Sequence, residues 1–339
     1  MRPFAYTRAE SLGEAVQALA ADPDARVLAG GTNLVDLMKY DVERPARIVD
    51  INRLPLREIE DLPDGTLRIG ALASNAAVAY HPAVVERYPL LASAILAGAS
   101  PQLRNAATTG GNLLQRTRCY YFYDPSTPCN KREPGSGCGA IGGVNRIHAI
   151  LGASEHCIAT HPSDMCVALA ALSAIVEVEG PGGRRDIHFA DFHRLPGDQP
   201  QRDNTLHHGE IVVAVRLEGN HFARHHSYLK LRDRLAYAFA LVSVAAALDV
   251  GDDGTVVDMR VALGGVAHKP WRDELAEAEF AGRTASAETF EAFADRLLAE
   301  AEGQGDNDFK IPMARKAIVR ALIQTAAGTP QVQSDKRIR

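Results

Sequence analysis

The chain has 339 residues, 46% of them hydrophobic and 23% charged, with 37 Lys+Arg against 42 Asp+Glu and a formal net charge of −5. That balance is ordinary for a globular protein of two or three domains and, with no Lys/Arg run longer than two, it excludes a broad nucleic-acid-binding face. No apolar stretch reaches the ~18 residues of a membrane span, and Met1–Arg8 lacks the apolar core of a signal peptide, so no export signal of its own is expected.

In chain order, Ser11-Leu-Gly-Glu14 has capping-box spacing and opens a helix through Ala15, Val16, Leu19 and Ala20, which Asp22-Pro23-Asp24 stops. A short strand at 26–29 meets Gly30-Gly31-Thr32-Asn33, and helical spacing resumes over Leu34–Lys39. Strands are expected at 46–51 and 67–70, with Ser74-Asn75 capping the next helix. A single apolar helix is expected over 84–98. Residues 100–165 are rich in Gly, Cys, Asn and Arg and show no clear periodicity, which in a compact domain points to a functional segment. A helix over 165–172 and strands at 175–178 and 211–217 follow. Beyond a boundary near 220–227, strands are expected at 228–232, 238–250 and 255–263, the last two joined by the turn Gly251-Asp-Asp-Gly254. Helices carry Phe290, Phe293, Leu297 and Leu298, then Ile318, Val319 and Leu322, and 324–339 reads as a frayed polar tail.

Two loops share one chemistry. Ala29-Gly30-Gly31-Thr32-Asn33 and Thr108-Thr109-Gly110-Gly111-Asn112 each combine a hydroxyl, paired glycines and a side-chain amide. Glycines let backbone N–H groups turn toward a phosphate without Cβ obstruction. Either loop alone is an ordinary tight turn; together they suggest a diphosphate held from two sides. His161-Pro-Ser163-Asp164 opens a helix, where Ser163 or Asp164 is a natural cap. An acid at that point can also accept from a sugar hydroxyl of a dinucleotide.

The five cysteines are unevenly placed: Cys119, Cys129, Cys138 and Cys157 fall within 39 residues, and Cys166 follows. Four thiolates complete the ligand set of either a [4Fe–4S] cluster or a tetrahedral zinc, and four unconnected buried thiols are the plain alternative. Arg116, Arg118, Lys131 and Arg132 flank the first two and are expected to favour thiolates. Glycines 135, 137, 139, 142 and 143 are expected to aim N–H groups at sulfur. Tyr120-Tyr-Phe-Tyr123 is expected to limit water access. Cys166 reads as a small hydrophobe in its helix, and His148, His156 and His161 as hydrogen-bonded or exposed rather than ligating. No hydrolytic triad or carboxylate pair stands out.

Arg26-Val-Leu-Ala-Gly-Gly-Thr-Asn33, Thr108-Thr-Gly-Gly-Asn-Leu113, His161-Pro-Ser-Asp164 and Val261-Ala-Leu-Gly-Gly-Val-Ala-His-Lys-Pro270, in that order, resemble the FAD-binding medium subunits of the molybdenum hydroxylases, the family of xanthine and carbon monoxide dehydrogenases. The resemblance runs from Phe4 to about Ile323. It implies an α+β protein: a two-part FAD-binding domain over 1–225, with an insertion at about 113–160, then a smaller α+β domain of sheet and helices over 226–323. By the same resemblance Arg26, Val27, Leu28, Ala29, Gly30, Gly31, Thr32 and Asn33 cradle the FAD pyrophosphate. Thr108, Gly110, Gly111 and Asn112 complete the grip, Asp164 binds a hydroxyl, and Val212 and Lys230 reach toward the flavin. The four-cysteine insertion resembles the FAD subunits of bacterial periplasmic aldehyde oxidoreductases, which implies Cys119, Cys129, Cys138 and Cys157 as ligands of a [4Fe–4S] cluster.

The function so implied is an electron-transfer flavoprotein subunit with no catalytic residue of its own. A large molybdenum-cofactor subunit and a small [2Fe–2S] subunit would deliver electrons, and an external acceptor would take them. The resemblance further implies export to the periplasm with a signal-bearing partner. A self-sufficient flavin oxidase and a non-redox scaffold with a zinc loop remain as alternatives.

Overall fold

The computed structural model describes residues 1–219 and 222–330; the expected boundary at 220–221 and the tail beyond 330 lie outside the described residues. Three sheets organise the described residues. The first is parallel, in the order β1 (Ala5–Arg8), β3 (Arg47–Asp50), β2 (Ala25–Leu28). The helix Leu12–Ala20 buries Ala15, Val16 and Leu19 in the core beside it. Ser11 caps this helix by accepting from the Glu14 amide at 3.2 Å. Glu14 reaches back one residue further than a capping box requires, accepting from the Glu10 amide at 2.8 Å.

The second sheet is antiparallel, ordered β4 (Ile59–Asp61), β5 (Leu67–Gly70), β8 (Ile211–Leu217), β6 (Ile175–Gly180), β7 (Gly183–His188). Strand β7 is absent from the sequence expectation because its edge position leaves most of Gly-Arg-Arg-Asp-Ile-His exposed, so it lacks an apolar signal. A helical layer covers this sheet. The helix expected over 84–98 is two helices, Pro82–Arg87 and Pro89–Ala97. Pro89 has no N–H for a continuous ladder and holds Tyr88 out of helical geometry, at φ −129° and ψ 49°.

The third sheet is antiparallel: β9 (His226–Leu231), β10 (Val242–Val250), β11 (Val256–Gly264), with β10 central. Strand alternation decides what each face meets. Ala245, Ala247 and Ala262 join the core of the helix Asp164–Ala171, whereas Val244, Ala246, Leu248, Val261 and Leu263 pack against Phe290, Phe293, Ile318 and Leu322. The small alanine face lets the earlier helix approach closely, and the large face builds a second core under the helices Ala287–Leu297 and Lys310–Ala326. The last helix begins earlier and ends later than the sequence suggests: it runs to Ala326 and Thr325 is fully buried, so 324–326 of the expected tail are helical.

Between Leu113 and Ser163 the chain forms no strand and only one helical turn, Tyr120–Tyr123. It is nonetheless pinned to the C-terminal part. Ile150 and Leu151 amides donate to Val266 O at 2.9 and 3.1 Å, the His161 amide to Ala267 O at 3.0 Å, and Lys310 Nζ to His148 O at 2.7 Å. This places the cysteine segment at the junction of both cores.

Candidate cofactor sites

Strand β2 delivers the first glycine turn. Gly31 has φ +72°, a conformation that strains any L side chain, and a Cβ on Gly30 would sit on the carbonyl oxygen of Ala106. Gly30 is therefore required for contact between the two glycine loops, a role the sequence does not reveal. Among the described residues, none accepts from the amides of Gly30, Gly31, Thr32 or Asn33. Asn33 Nδ2 is likewise buried without a partner, while its Oδ1 accepts from the Arg116 amide at 2.8 Å. The turn is partly exposed, and a run of N–H groups with no protein acceptor at a glycine turn fits a phosphate group. Arg26, by contrast, turns back: its guanidinium donates to Pro23 and Ala25 carbonyls, so Arg26 contributes through its place in β2. Val27 and Leu28 continue that strand, and Ala29 O accepts from Asn52 Nδ2 at 2.9 Å.

The second glycine loop is more self-contained than expected. Thr108 caps the short helix Thr109–Leu113, accepting from the Gly111 amide at 3.2 Å, and the Gly110 amide donates to Ala71 O at 2.8 Å. The Asn112 amide donates to Thr108 O. These amides are spent on protein acceptors, so the loop's contribution to a ligand is shape and side chains rather than an array of N–H donors. Asn112 Oδ1 accepts from Ser163 Oγ and from Gln115 Nε2, tying the loop to the start of the helix Asp164–Ala171.

Ser163, not Asp164, caps that helix. Asp164 is 8% exposed and fully engaged: Tyr228 OH donates to Oδ1 and Lys230 Nζ to Oδ2, both at 2.7 Å. Lys230 also reaches Ala97 O at 3.2 Å, and its side chain is 2% exposed rather than solvated. Burial and the Asp164 charge hold the Tyr228 phenol well above its ordinary pKa. Strand β9 thus carries a tyrosine and a lysine onto one carboxylate. The side chain of Val212 lies in the main core beside Val178, leaving its backbone as what it can offer a ligand.

Cys119, Cys129, Cys138 and Cys157 line one chamber with Tyr121, Phe122, Asn130, Lys131 and Ala159. None forms a disulfide. Backbone pairing of Cys129 with Cys138 brings the two middle cysteines together, and Cys119 opens the turn Tyr120–Tyr123. Burial pushes the Cys119 thiol up to about 12 and the Cys157 thiol up to about 11, with neighbouring cysteines adding to both. Such thiols give up protons to a metal rather than to water.

The flanking cations are not disposed as the sequence suggests. Arg116 pairs with Glu43 and Asp203, Arg118 contacts Tyr123, and Arg132 is spent on the carbonyls of Tyr121, Phe122 and Thr127. Lys131 exerts its charge on Cys157 from a buried position where it meets Pro200 O, Asp203 and His268. Nor do the glycines aim N–H groups at sulfur. Gly135 and Gly137 donate to Asn130 Oδ1 at 3.1 and 2.8 Å, Gly139 donates to Pro128 O, and Gly143 to Ala140 O. Gly139 and Gly143 instead leave room for the Tyr121 ring, which a Cβ on either would strike. The Cys157 sulfur accepts from the Ala159 amide at 3.5 Å, and His148 Nε2 lies 3.0 Å from the Cys119 sulfur. The Asn130 contacts and the sulfur partner of His148 are features that sequence reasoning missed; neither residue carries a motif signal.

Four free thiols around one chamber are the complete donor set of a [4Fe–4S] cluster or of one tetrahedral zinc. Elsewhere His161, Cys166 and His193 bring three ligating atoms within 4.8 Å of one another. The histidine trio is itself poorly disposed to bind. His161 Nδ1 accepts from the Ser163 amide and His193 Nε2 contacts Leu113 O. One ring then presents a proton and the other a lone pair. Cys166, fully buried with its thiol pushed up to about 12, remains a packing residue.

Residues 2–217 match the family described as the FAD binding domain in molybdopterin dehydrogenase, and residues 226–325 match the CO dehydrogenase flavoprotein C-terminal domain. The chain is 48% identical, over 96% of its length and 99% of the relative's, to the aldehyde oxidoreductase FAD-binding subunit PaoB of Escherichia coli (strain K12). It is 29% identical to the carbon monoxide dehydrogenase medium chain of Hydrogenophaga pseudoflava, over 94% and 96% of the two chains. Among solved structures, a carbon monoxide dehydrogenase from Hydrogenophaga pseudoflava superposes with a TM-score of 0.75 at 30% identity, covering 97% of this chain and 99% of that one. A quinoline 2-oxidoreductase from Pseudomonas putida 86 gives 0.74 at 25%, covering 97% and 98%. The chain belongs to the FAD-binding subunits of the molybdenum hydroxylases.

Proposed function

We propose that this chain is the FAD and [4Fe–4S] subunit of a molybdenum-dependent aldehyde oxidoreductase. It would receive electrons from a large molybdenum-cofactor subunit and a small [2Fe–2S] subunit and release them to an external acceptor. Bound FAD supplies a carrier of one or two electrons, and a bound [4Fe–4S] cluster a carrier of one. The chain's own residues position and insulate. Gly30 to Asn33 would offer amides to the pyrophosphate, Asp164 is held by Tyr228 and Lys230, with Lys230 also on Ala97 O, and the four cysteines would hold the cluster.

The observation that carries the cluster reading is the chamber itself: four cysteines free of disulfides around one space. The aldehyde assignment is supported by the relative's name at 48% identity. Export to the periplasm with a signal-bearing partner belongs to the same proposal. The test is reconstitution: the chain co-purified with its partners oxidises aldehydes with an artificial acceptor, and the chain alone does not. Turnover by the isolated chain would favour the self-sufficient flavin oxidase instead.

A further inference from the structure

We propose that His148 sets the reduction potential of the group in the cysteine chamber by donating its Nε2 hydrogen to the sulfur of Cys119. The inference rests on the reading of the chamber as an iron–sulfur site.

His148 is 1% exposed, and Nε2 lies 3.0 Å from Cys119 Sγ. Its Nδ1 has no partner among the described residues. A neutral imidazole carries one N–H. Placing that hydrogen on Nδ1 would orphan a buried donor and set the Nε2 lone pair against the sulfur. Placing it on Nε2 makes the single hydrogen bond the site allows.

The ring is held from outside the cysteine segment. The His148 carbonyl accepts from Lys310 Nζ at 2.7 Å and from Asn307 Nδ2 at 3.2 Å. Its amide donates to Asn145 O at 2.9 Å, and Tyr120 and Tyr121 lie against the ring, with centroids 6.4 Å away. Lys310 is itself fully buried and also donates to Gly265 O. It serves as a positioning residue through which the C-terminal core fixes a donor inside the insertion.

Cys119 is thereby distinguished from the other sulfurs. Cys157 receives a longer backbone contact, and among the described residues no side-chain N–H donates to Cys129 or Cys138. A hydrogen bond to a ligand sulfur strengthens as negative charge builds there, so it favours the reduced state and raises the potential. No proton is transferred; the N–H bond stays intact in both states.

The experiment compares anaerobically purified full-length wild type with His148→Phe, His148→Met and His148→Gln. Iron is quantified, and redox titration is followed by electron paramagnetic resonance. The first two variants remove the donor, and the third restores an N–H. With iron retained, the donorless variants should titrate at lower potential, with the reduced-to-oxidised ratio at the wild-type midpoint falling about tenfold, and His148→Gln should recover most of it. A midpoint unchanged in every variant, or shifted equally in all, overturns the proposal. Loss of iron from all three would make His148 a ligand and overturn it also. An iron-free wild type would refute the cluster reading itself, and this inference with it.

Discussion

Asn33 and Arg116 join the two candidate sites: the side-chain Oδ1 of Asn33 accepts a 2.8 Å hydrogen bond from the Arg116 backbone N–H. Three residues on, the chain reaches Cys119. One side chain therefore braces the glycine turn on one side and the entrance to the cysteine chamber on the other. It leaves Nδ2 as a buried donor with no protein partner among the described residues.

Replacing Asn33 with Asp keeps the acceptor toward Arg116, removes the Nδ2 donor and adds a negative charge where a pyrophosphate would lie. FAD affinity should fall about tenfold or more, the worth of a hydrogen bond to a charged group. Iron content should stay at the wild-type level. Flavin absorbance after desalting, with iron measured on the same sample, checks both.

The Asp164–Lys230 pair is buried on both sides, at 8% and 2% side-chain exposure. Breaking one half leaves an uncompensated charge, so Lys230→Met should destabilise the chain by about 3–5 kcal/mol. The double substitution Asp164→Asn with Lys230→Met should recover much of that loss. Chemical denaturation of wild type and the two variants reads the difference. A double variant no more stable than Lys230→Met would refute the pairing as the cause.

Acid should loosen the junction before it reaches ordinary carboxylates. Burial depresses His193 and His268 to about 4, below the unfolded value of about 6.5. The unfolded chain then binds protons first. Stability is complete above pH 6.5 and declines as pH falls toward 4, by about 3 kcal/mol for each histidine. Against the penalty of burial, Arg116 and Lys131 hold Asp203 well below the usual carboxylate range, so its contribution fades only at lower pH. Thermal melts from pH 7.5 to 4.5 should show the decline, with a shallower slope in His193→Gln.

Asn130 organises the turn between the middle cysteines. Its Oδ1 receives the Gly135 and Gly137 amides, and its Nδ2 donates to His156 O at 3.0 Å. Asn130→Ala strips the partner from both amides, at about 1–3 kcal/mol for each that becomes a buried orphan. The variant should lose iron to a chelator several-fold faster than wild type while retaining FAD. Time courses of iron release measure the effect.

The glycine turns, the caps at Ser11, Ser74 and Ser163 and the grouping of four cysteines were all legible in the sequence, because each rests on local geometry. What escaped depends on partners far along the chain. Lys131, Lys230 and Lys310 are residue types that normally stay in water, yet each is buried against carbonyls or a carboxylate from distant segments. Arg116 and Arg132 lie beside cysteines in sequence but are consumed by other groups in space. Strand β7 was hidden because an edge strand need not be apolar, and its identity comes only from its pairing with β6.

The most direct test of a chain that holds a flavin and an iron–sulfur cluster is cofactor quantification on protein purified without air. FAD, iron, acid-labile sulfide and zinc would be measured per chain in wild type, Cys129→Ser and Cys166→Ala. Wild type and Cys166→Ala should carry FAD with about four iron and four sulfide, and Cys129→Ser should keep FAD but lose the iron. Zinc at about one per chain without sulfide, or full iron in Cys129→Ser, would contradict the account.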